Sequence, residues 1–333
     1  MFELPDFEYY EPQTLEEALH VLREYGPKAK ILGGGTDLLG LMKDRISGSQ
    51  MPIPEALVNI KNIKELGVIV HNTKESTVGS AVTLSEIATN SELGLRFPAF
   101  VQAAASVATT QIRNMGTLGG NLCQRPWCWY FRHPAFDCFK KGGKQCYAIT
   151  GDNSTYFSVY NLGTCVMSHP SDTAPALIAL GAKASIASST YGIKEVALSD
   201  FFLGPKNVQD NILQPEEILV SVSVPRRSLK QRSTYLKQRI RDNWDFALAS
   251  VSASGAVDDH GRIDSIRIVL GGVAPMPFTL ETTEILLGKG LNETKLEVAR
   301  LVSSKAKPLK MNRYKVRIVR ALVLRALDAI FFD

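Results

Sequence analysis

Apolar residues recur at helical spacing from Leu15 to Tyr25, behind a threonine, Thr14, that reads as an N-cap with Glu17 three residues on to complete a capping box. Gly26-Pro27 ends this helix, and Ala29-Lys30-Ile31-Leu32 reads as a short buried strand running straight into Gly33-Gly34-Gly35-Thr36-Asp37. Residues 57–60 and 76–82 read as strands, residues 84–90 and 97–108 as helices. From Thr109 to Asp172 the periodicity lapses, and a stretch that long without regular structure is usually held by a function or a ligand. The pattern resumes with a helix over residues 174–182, a strand over 183–187 and another over 215–222 that ends at Pro225. The charged turn Pro225-Arg226-Arg227-Ser228 then marks a domain boundary. Beyond it, residues 246–257 and 262–273 have the pattern of two antiparallel strands joined by the turn Asp258-Asp259-His260-Gly261. Helices fill the remainder; in the last, Val316, Val319, Val323, Leu327 and Ile330 share one face.

A chain of 333 residues exceeds one ordinary core, so two or three domains are expected. With 45% hydrophobic and 21% charged residues it has the makings of a globular protein, which excludes a disordered or fibrous one. The N-terminus has no basic region ahead of an apolar stretch, and no apolar run approaches the roughly 18 residues of a membrane span. That reads as a cytoplasmic protein, or a periplasmic one if a partner's signal exports the assembly. The net charge of +5 is mild, and the densest basic run, Lys305 to Arg325, alternates with apolar residues. It reads as a solvated helix face and not as a nucleic-acid site.

The glycines after the first strand are the first sign of chemistry. They allow a tight turn and remove the side chains that would keep a phosphate from main-chain N–H groups. Leu38-Leu39-Gly40-Leu41-Met42 reads as a helix start whose partial charge favours an anion, with Thr36 and Asp37 placed to donate or orient hydrogen bonds. The spacing is no dinucleotide fingerprint, because Leu38 stands where G-x-G-x-x-G needs its last glycine, and no lysine supports a P-loop. A plain structural turn fits this segment equally well. The same small-residue chemistry returns in Gly116-Thr117-Leu118-Gly119-Gly120-Asn121. No Ser-His-Asp triad, zinc-hydrolase helix or pair of carboxylates stands out.

All five cysteines, Cys123, Cys128, Cys138, Cys146 and Cys165, fall in the irregular stretch. Without a secretory signal disulfides are disfavoured, and the C-x₂-C pairs of structural zinc are absent. Thiolates in this number suit an iron–sulfur cluster, which takes four soft ligands and tolerates long loops between them; five buried unliganded cysteines is the plainer alternative. Cys123 directly follows Asn121-Leu122 in the second glycine loop, whereas the others bracket an insertion rich in aromatic and basic residues. The expected ligands are therefore Cys128, Cys138, Cys146 and Cys165. Arg125, Arg132, Lys140, Lys141 and Lys144 would offset the charge of a tetrathiolate cluster; Trp127, Trp129, Tyr130 and Phe131 would shield it from water, although ordinary packing explains these aromatics equally well. His169 reads as a satisfied structural histidine.

Taken together, residues 29–38, Val78-Gly79-Ser80-Ala81-Val82-Thr83-Leu84, Ile112 to Asn121, His169-Pro170-Ser171-Asp172 and Ile266 to Pro275 resemble the FAD-binding subunit of the xanthine oxidase family of molybdenum hydroxylases. The resemblance covers nearly the whole chain. It implies an α+β protein: a two-part FAD-binding domain of the vanillyl-alcohol-oxidase/PCMH type over residues 1–226, with parts at about 1–60 and 61–226 and a cysteine-rich insertion at about 122–166. A smaller α+β C-terminal domain of the CO dehydrogenase flavoprotein type, an antiparallel sheet with helices, would occupy residues 227–333. By carry-over, Lys30, Ile31, Leu32, Gly33, Gly34, Gly35, Thr36, Asp37 and Leu38 would wrap the FAD diphosphate. Thr117, Gly119, Gly120 and Asn121 would approach it from the second loop, and Asp172 would hydrogen-bond the flavin. Ile218 and Lys237 match positions that border the isoalloxazine, although a surface lysine on a strand is an equal reading of Lys237.

The insertion is similar to that of the aldehyde oxidoreductase and 4-hydroxybenzoyl-CoA reductase flavin subunits, which implies an extra [4Fe-4S] cluster. The implied activity is that of an oxidoreductase subunit relaying electrons between the [2Fe-2S] clusters of a small partner subunit and an external acceptor or donor. Substrate would be transformed on a molybdopterin-binding large subunit. Two rivals remain, a stand-alone flavin oxidase or dehydrogenase and an iron–sulfur module without flavin.

Overall fold

Thr14 closes the capping box expected of it: its hydroxyl accepts the Glu17 N–H while the Glu17 carboxylate accepts the Thr14 N–H. The helix Leu15–Tyr25 that follows buries Ala18, Leu19, Val21 and Leu22. In the structure, a computed structural model that describes residues 3–226, 230–281 and 283–331, this face covers a small parallel sheet. Its strands lie in the order β1 (Glu8–Tyr10), β3 (Ala56–Asn59) and β2 (Ala29–Leu32). A second sheet is antiparallel throughout, in the order β4 (Ile69–His71), β5 (Glu75–Gly79), β8 (Glu217–Pro225), β6 (Lys183–Ser188) and β7 (Gly192–Ala197). The third, also antiparallel, runs β12 (Phe278–Leu280), β11 (Ile263–Gly271), β10 (Ala249–Val257) and β9 (Arg232–Gln238). The helices Leu291–Lys305 and Tyr314–Phe331 pack on it, and Val251, Ile268, Val319, Val323 and Leu327 form its core.

This is the α+β arrangement expected, with β10 and β11 paired as the sequence predicts. Several elements differ. The expected strand over 76–82 stops at Gly79, because Ser80 and Val82 turn their carbonyls to Gly119 and Leu118. The helix expected over 97–108 stops at Ala105, and Ala108 takes a positive φ of 41°. Residues 109–172 are not uniformly irregular: Thr110–Met115 and Leu118–Cys123 are helical, capped by the Thr109 and Thr117 hydroxyls. Arg227 and Ser228 of the expected boundary turn lie outside the described residues. Among the described residues, no helix is long and apolar enough to cross a membrane.

The basic run Lys305–Arg325 is a solvated face with one exception. Lys315 is fully buried, and its ammonium donates to Thr155 O (3.1 Å), Phe157 O (2.8 Å) and Gly272 O (2.7 Å). Asn312 adds bonds to Phe157 O and Ser158 O, so the C-terminal helix pins the end of the cysteine-rich insertion. Burial pushes the Lys315 pKa down to about 7, yet three carbonyl dipoles favour the charged form. Lys315→Met leaves those carbonyls without a donor and is expected to lower the unfolding free energy by about 2–4 kcal/mol, read from urea denaturation; an unchanged midpoint would refute the pinning role.

Candidate functional site

β2 ends where Leu32 accepts the Ile60 N–H, and the chain enters Gly33-Gly34-Gly35. Among the described residues, the N–H groups of Gly33, Gly34, Gly35, Thr36 and Asp37 donate no hydrogen bond. The loop presses on the second glycine turn. A side chain at Gly34 would come within 1.9 Å of Met115 O, and one at Gly33 within 2.7 Å of the Thr117 hydroxyl, so only glycines permit this approach. Gly35 takes a φ of +71°.

The second loop is built the opposite way, its donors satisfied inside the protein. Leu118 N–H goes to Val82 O, Gly119 to Ser80 O, Gly120 to the Thr117 hydroxyl and Asn121 to Thr117 O. Asn121 is buried, and its Oδ1 accepts from the Ser171 and Thr173 hydroxyls, both at 2.6 Å, which fixes the segment carrying Asp172. Beside Gly119 the buried Ser80 hydroxyl has no partner among the described residues.

Asp172 and Lys237 meet, as a buried ion pair at 2.7 Å. Lys237 also donates to Ser106 O (3.1 Å), and the Tyr235 hydroxyl donates to the other Asp172 oxygen at 2.6 Å. Lys237 is thus not the surface lysine of the alternative reading. Ile218 is elsewhere: it pairs with Ala187 and is fully buried in a core with Ala18, Leu22 and Val58. The Lys30 ammonium reaches back to Pro27 O (3.0 Å). Asp37 faces away from its own helix, accepting Arg125 N–H (2.9 Å) and the Arg132 guanidinium.

Cys128, Cys138, Cys146 and Cys165 belong to one buried cluster with Leu41, Phe131, Phe157 and Met167, whereas Cys123 packs on the core of the five-stranded sheet. All five are free thiols. Main-chain N–H groups point at each of the four sulfurs: Phe131 and Tyr130 at Cys128, Lys140 and Lys141 at Cys138, Val166, Ala148 and Ile149 at Cys146, and Met167 at Cys165. Burial pushes the Cys128 thiol up to about 12, and Cys123 likewise with no such donor. The hydrogen bond from the Cys165 thiol draws Cys146 down to about 6. Lys140 and Lys141 are buried beside them; Lys140 pairs with Asp210, while Lys141 has His133 O at 2.9 Å and, among the described residues, no carboxylate in ion-pair contact. Among the described residues no group of three or more His, Cys, Asp or Glu is arranged to hold a metal ion. Of the expected shielding aromatics only Phe131 is fully buried; Trp127 and Trp129 are 38% and 43% exposed, held at the surface by Phe246 and Tyr156.

Residues 5–227 match the family described as FAD binding domain in molybdopterin dehydrogenase. The chain belongs to that family. Residues 234–330 match the CO dehydrogenase flavoprotein C-terminal domain. As a member of this family the chain is a flavoprotein subunit of a molybdopterin-dependent oxidoreductase. It is 30% identical to the aldehyde oxidoreductase FAD-binding subunit of Escherichia coli (strain K12), over 79% of this chain and 80% of the relative. It is 26% identical to the carbon monoxide dehydrogenase medium chain of Hydrogenophaga pseudoflava, over 98% of this chain and 97% of that one. The solved carbon monoxide dehydrogenase from the same organism superposes with a TM-score of 0.78 at 25% identity, covering 99% of both chains.

Sequence reasoning missed Tyr235 and Asp210. Tyr235 stands two residues before Lys237 on β9, hence on the same face, a signal lost because the apolar pattern does not mark β9 as a strand. Asp210 pairs with Arg125 (2.7 Å) and Lys140 (2.6 Å) across gaps in sequence that leave no local trace.

The expected satisfied histidine, His169, is only half satisfied. Its Nδ1 accepts Ser171 N–H (3.3 Å), while its buried Nε2 has no partner among the described residues. Burial lowers its pKa from 6.5 to about 4. Between those values the unfolded chain binds a proton that the folded one does not, so stability falls as the pH drops from 6.5 to 4. Urea midpoints at pH 7 and pH 5 are expected to differ less in His169→Gln than in the parent; equal differences would remove this assignment.

Proposed function

We propose that this chain carries FAD at the junction of its two glycine loops and a [4Fe-4S] cluster on Cys128, Cys138, Cys146 and Cys165. It relays electrons between the [2Fe-2S] clusters of a small partner subunit and an external acceptor or donor. A large molybdopterin-binding subunit holds the substrate. In division, residues 1–226 form the FAD-binding part and 227–333 the C-terminal flavoprotein domain.

The observation that carries the flavin reading is the row of free N–H donors from Gly33 to Asp37, held open against Met115 and Thr117. Such a row suits the oxygens of a diphosphate. In this reading residues 30–38 line the diphosphate, with Thr117, Gly119, Gly120 and Asn121 as the opposite wall. Asp172 and Lys237 present a fixed carboxylate and ammonium to the flavin side. Ile218 supports this architecture from within the core. When bound, FAD takes two electrons together and a cluster one at a time, which lets a two-electron acceptor meet one-electron centres.

The cluster reading rests on the shared interior of four thiols, the main-chain donors aimed at each sulfur, and Lys141. Among the described residues Lys141 has no carboxylate in ion-pair contact; Asp137 acts on it from farther off, and thiolates at Cys128 and Cys138 would add negative charge beside it. The relatives named above, subunits of aldehyde oxidoreductase and carbon monoxide dehydrogenase, support assignment to a hetero-oligomer.

The complex purified from its host is expected to contain flavin, iron and molybdenum, and a preparation that neither contains nor takes up FAD would end the proposal. Gly34→Ala, which forces the loops apart, is expected to abolish flavin retention. Cys128→Ser, Cys138→Ser, Cys146→Ser and Cys165→Ser should each lose about four irons per chain, as the cluster's composition requires, with Cys123→Ser unaffected. Iron unchanged in any of the first four would break the ligand assignment.

A further inference from the structure

Asp37 poses an electrostatic problem. Its N–H belongs to the free row that faces the proposed diphosphate, so its carboxylate lies within a side chain's length of a bound anion, and like charges at that range repel strongly in a partly buried site. The structure turns this carboxylate toward the cysteine-rich insertion. It makes no side-chain cap on the helix Leu38–Lys43 and accepts Arg125 N–H at 2.9 Å and the Arg132 guanidinium. The Arg125 guanidinium is committed elsewhere, to Asp210 at 2.7 Å. Among the described residues Arg132 is therefore the one cation in ion-pair contact with Asp37. Several contacts hold Arg132 in place, among them a guanidinium hydrogen bond to Arg125 O at 3.2 Å. Its Nε donates to Pro126 O (2.9 Å), its guanidinium lies 4.4 Å from the Trp127 ring centre, and its N–H bonds Cys128 O (2.9 Å).

We propose that Arg132 is a positioning residue for flavin binding: by neutralising Asp37 it makes the first glycine loop acceptable to the FAD diphosphate, so that the insertion sets the flavin affinity. The inference rests on the flavin reading above. It also ties the two cofactor regions together, because Arg132 hangs from the turn that begins at Cys128. Loss of order around that cysteine would release Arg132 and uncover the Asp37 charge. Flavin affinity then reports on the integrity of the insertion without any contact between the two cofactors.

The test uses the full-length chain in its native complex, stripped of flavin and titrated with FAD while flavin fluorescence is followed. Arg132→Leu is expected to bind FAD about tenfold more weakly, a loss of about 1.4 kcal/mol, and the deficit is expected to shrink at high salt. Asp37→Asn placed on Arg132→Leu is expected to restore affinity to within about threefold of the parent, a residual of less than about 1 kcal/mol. A merely structural arginine would not allow this rescue, since the double variant still lacks the bonds to Pro126 and Trp127. Unchanged affinity in Arg132→Leu, or a double variant as weak as the single one, overturns the proposal. Failure of the parent complex to take up FAD overturns the flavin reading itself, and so separates the two failures.

Discussion

The approach of Gly34 to the carbonyl of Met115 is the constraint from which the site follows. Any side chain at residue 34 would stand 1.9 Å from that oxygen, so the two loops meet main chain to main chain or not at all. Once they meet, they divide the work. The second loop commits its donors to Ser80, Val82 and Thr117 and becomes a rigid wall, which lets the first keep its donors open to a ligand. The open donors cost little, because residues 33–37 are only partly buried and water can reach them.

Three acidic residues, Asp37, Asp172 and Asp210, join parts of the chain that lie far apart in sequence. Asp37 joins the glycine loop to the insertion, Asp210 joins the insertion to the segment before β8, and Asp172 joins the FAD-binding part to β9 of the C-terminal domain. Buried or half-buried pairs of this kind add little net stability, but removing one member leaves a stranded charge. They therefore fix which surfaces face one another.

The legible parts are local. The capping box at Thr14, the strand running into Gly33, and β10 turning into β11 are each written in a few consecutive residues. That Cys123 packs apart from the other four cysteines is legible too, since it sits in a helix of the second loop while the rest lie beyond it. What escapes depends on distance. β9, Arg-Ser-Thr-Tyr-Leu-Lys-Gln, is polar at most positions because its inward residues bury a hydroxyl and an ammonium against a carboxylate supplied more than sixty residues earlier. Lys315 looks like any surface lysine, and only three remote carbonyls make it a core residue. Asp37 reads in sequence as a servant of its own loop, and nothing near it foretells the Arg132 guanidinium.

Lys315 also bears on how the molecule comes apart. The carbonyls it satisfies belong to the insertion and to the turn after β11, and those of Thr155 and Phe157 lie 160 and 158 residues away along the chain. Until the helix that carries Lys315 docks, the floor of the insertion lacks its fastening. Undocking of that helix and loosening of the insertion are thereby one event and not two.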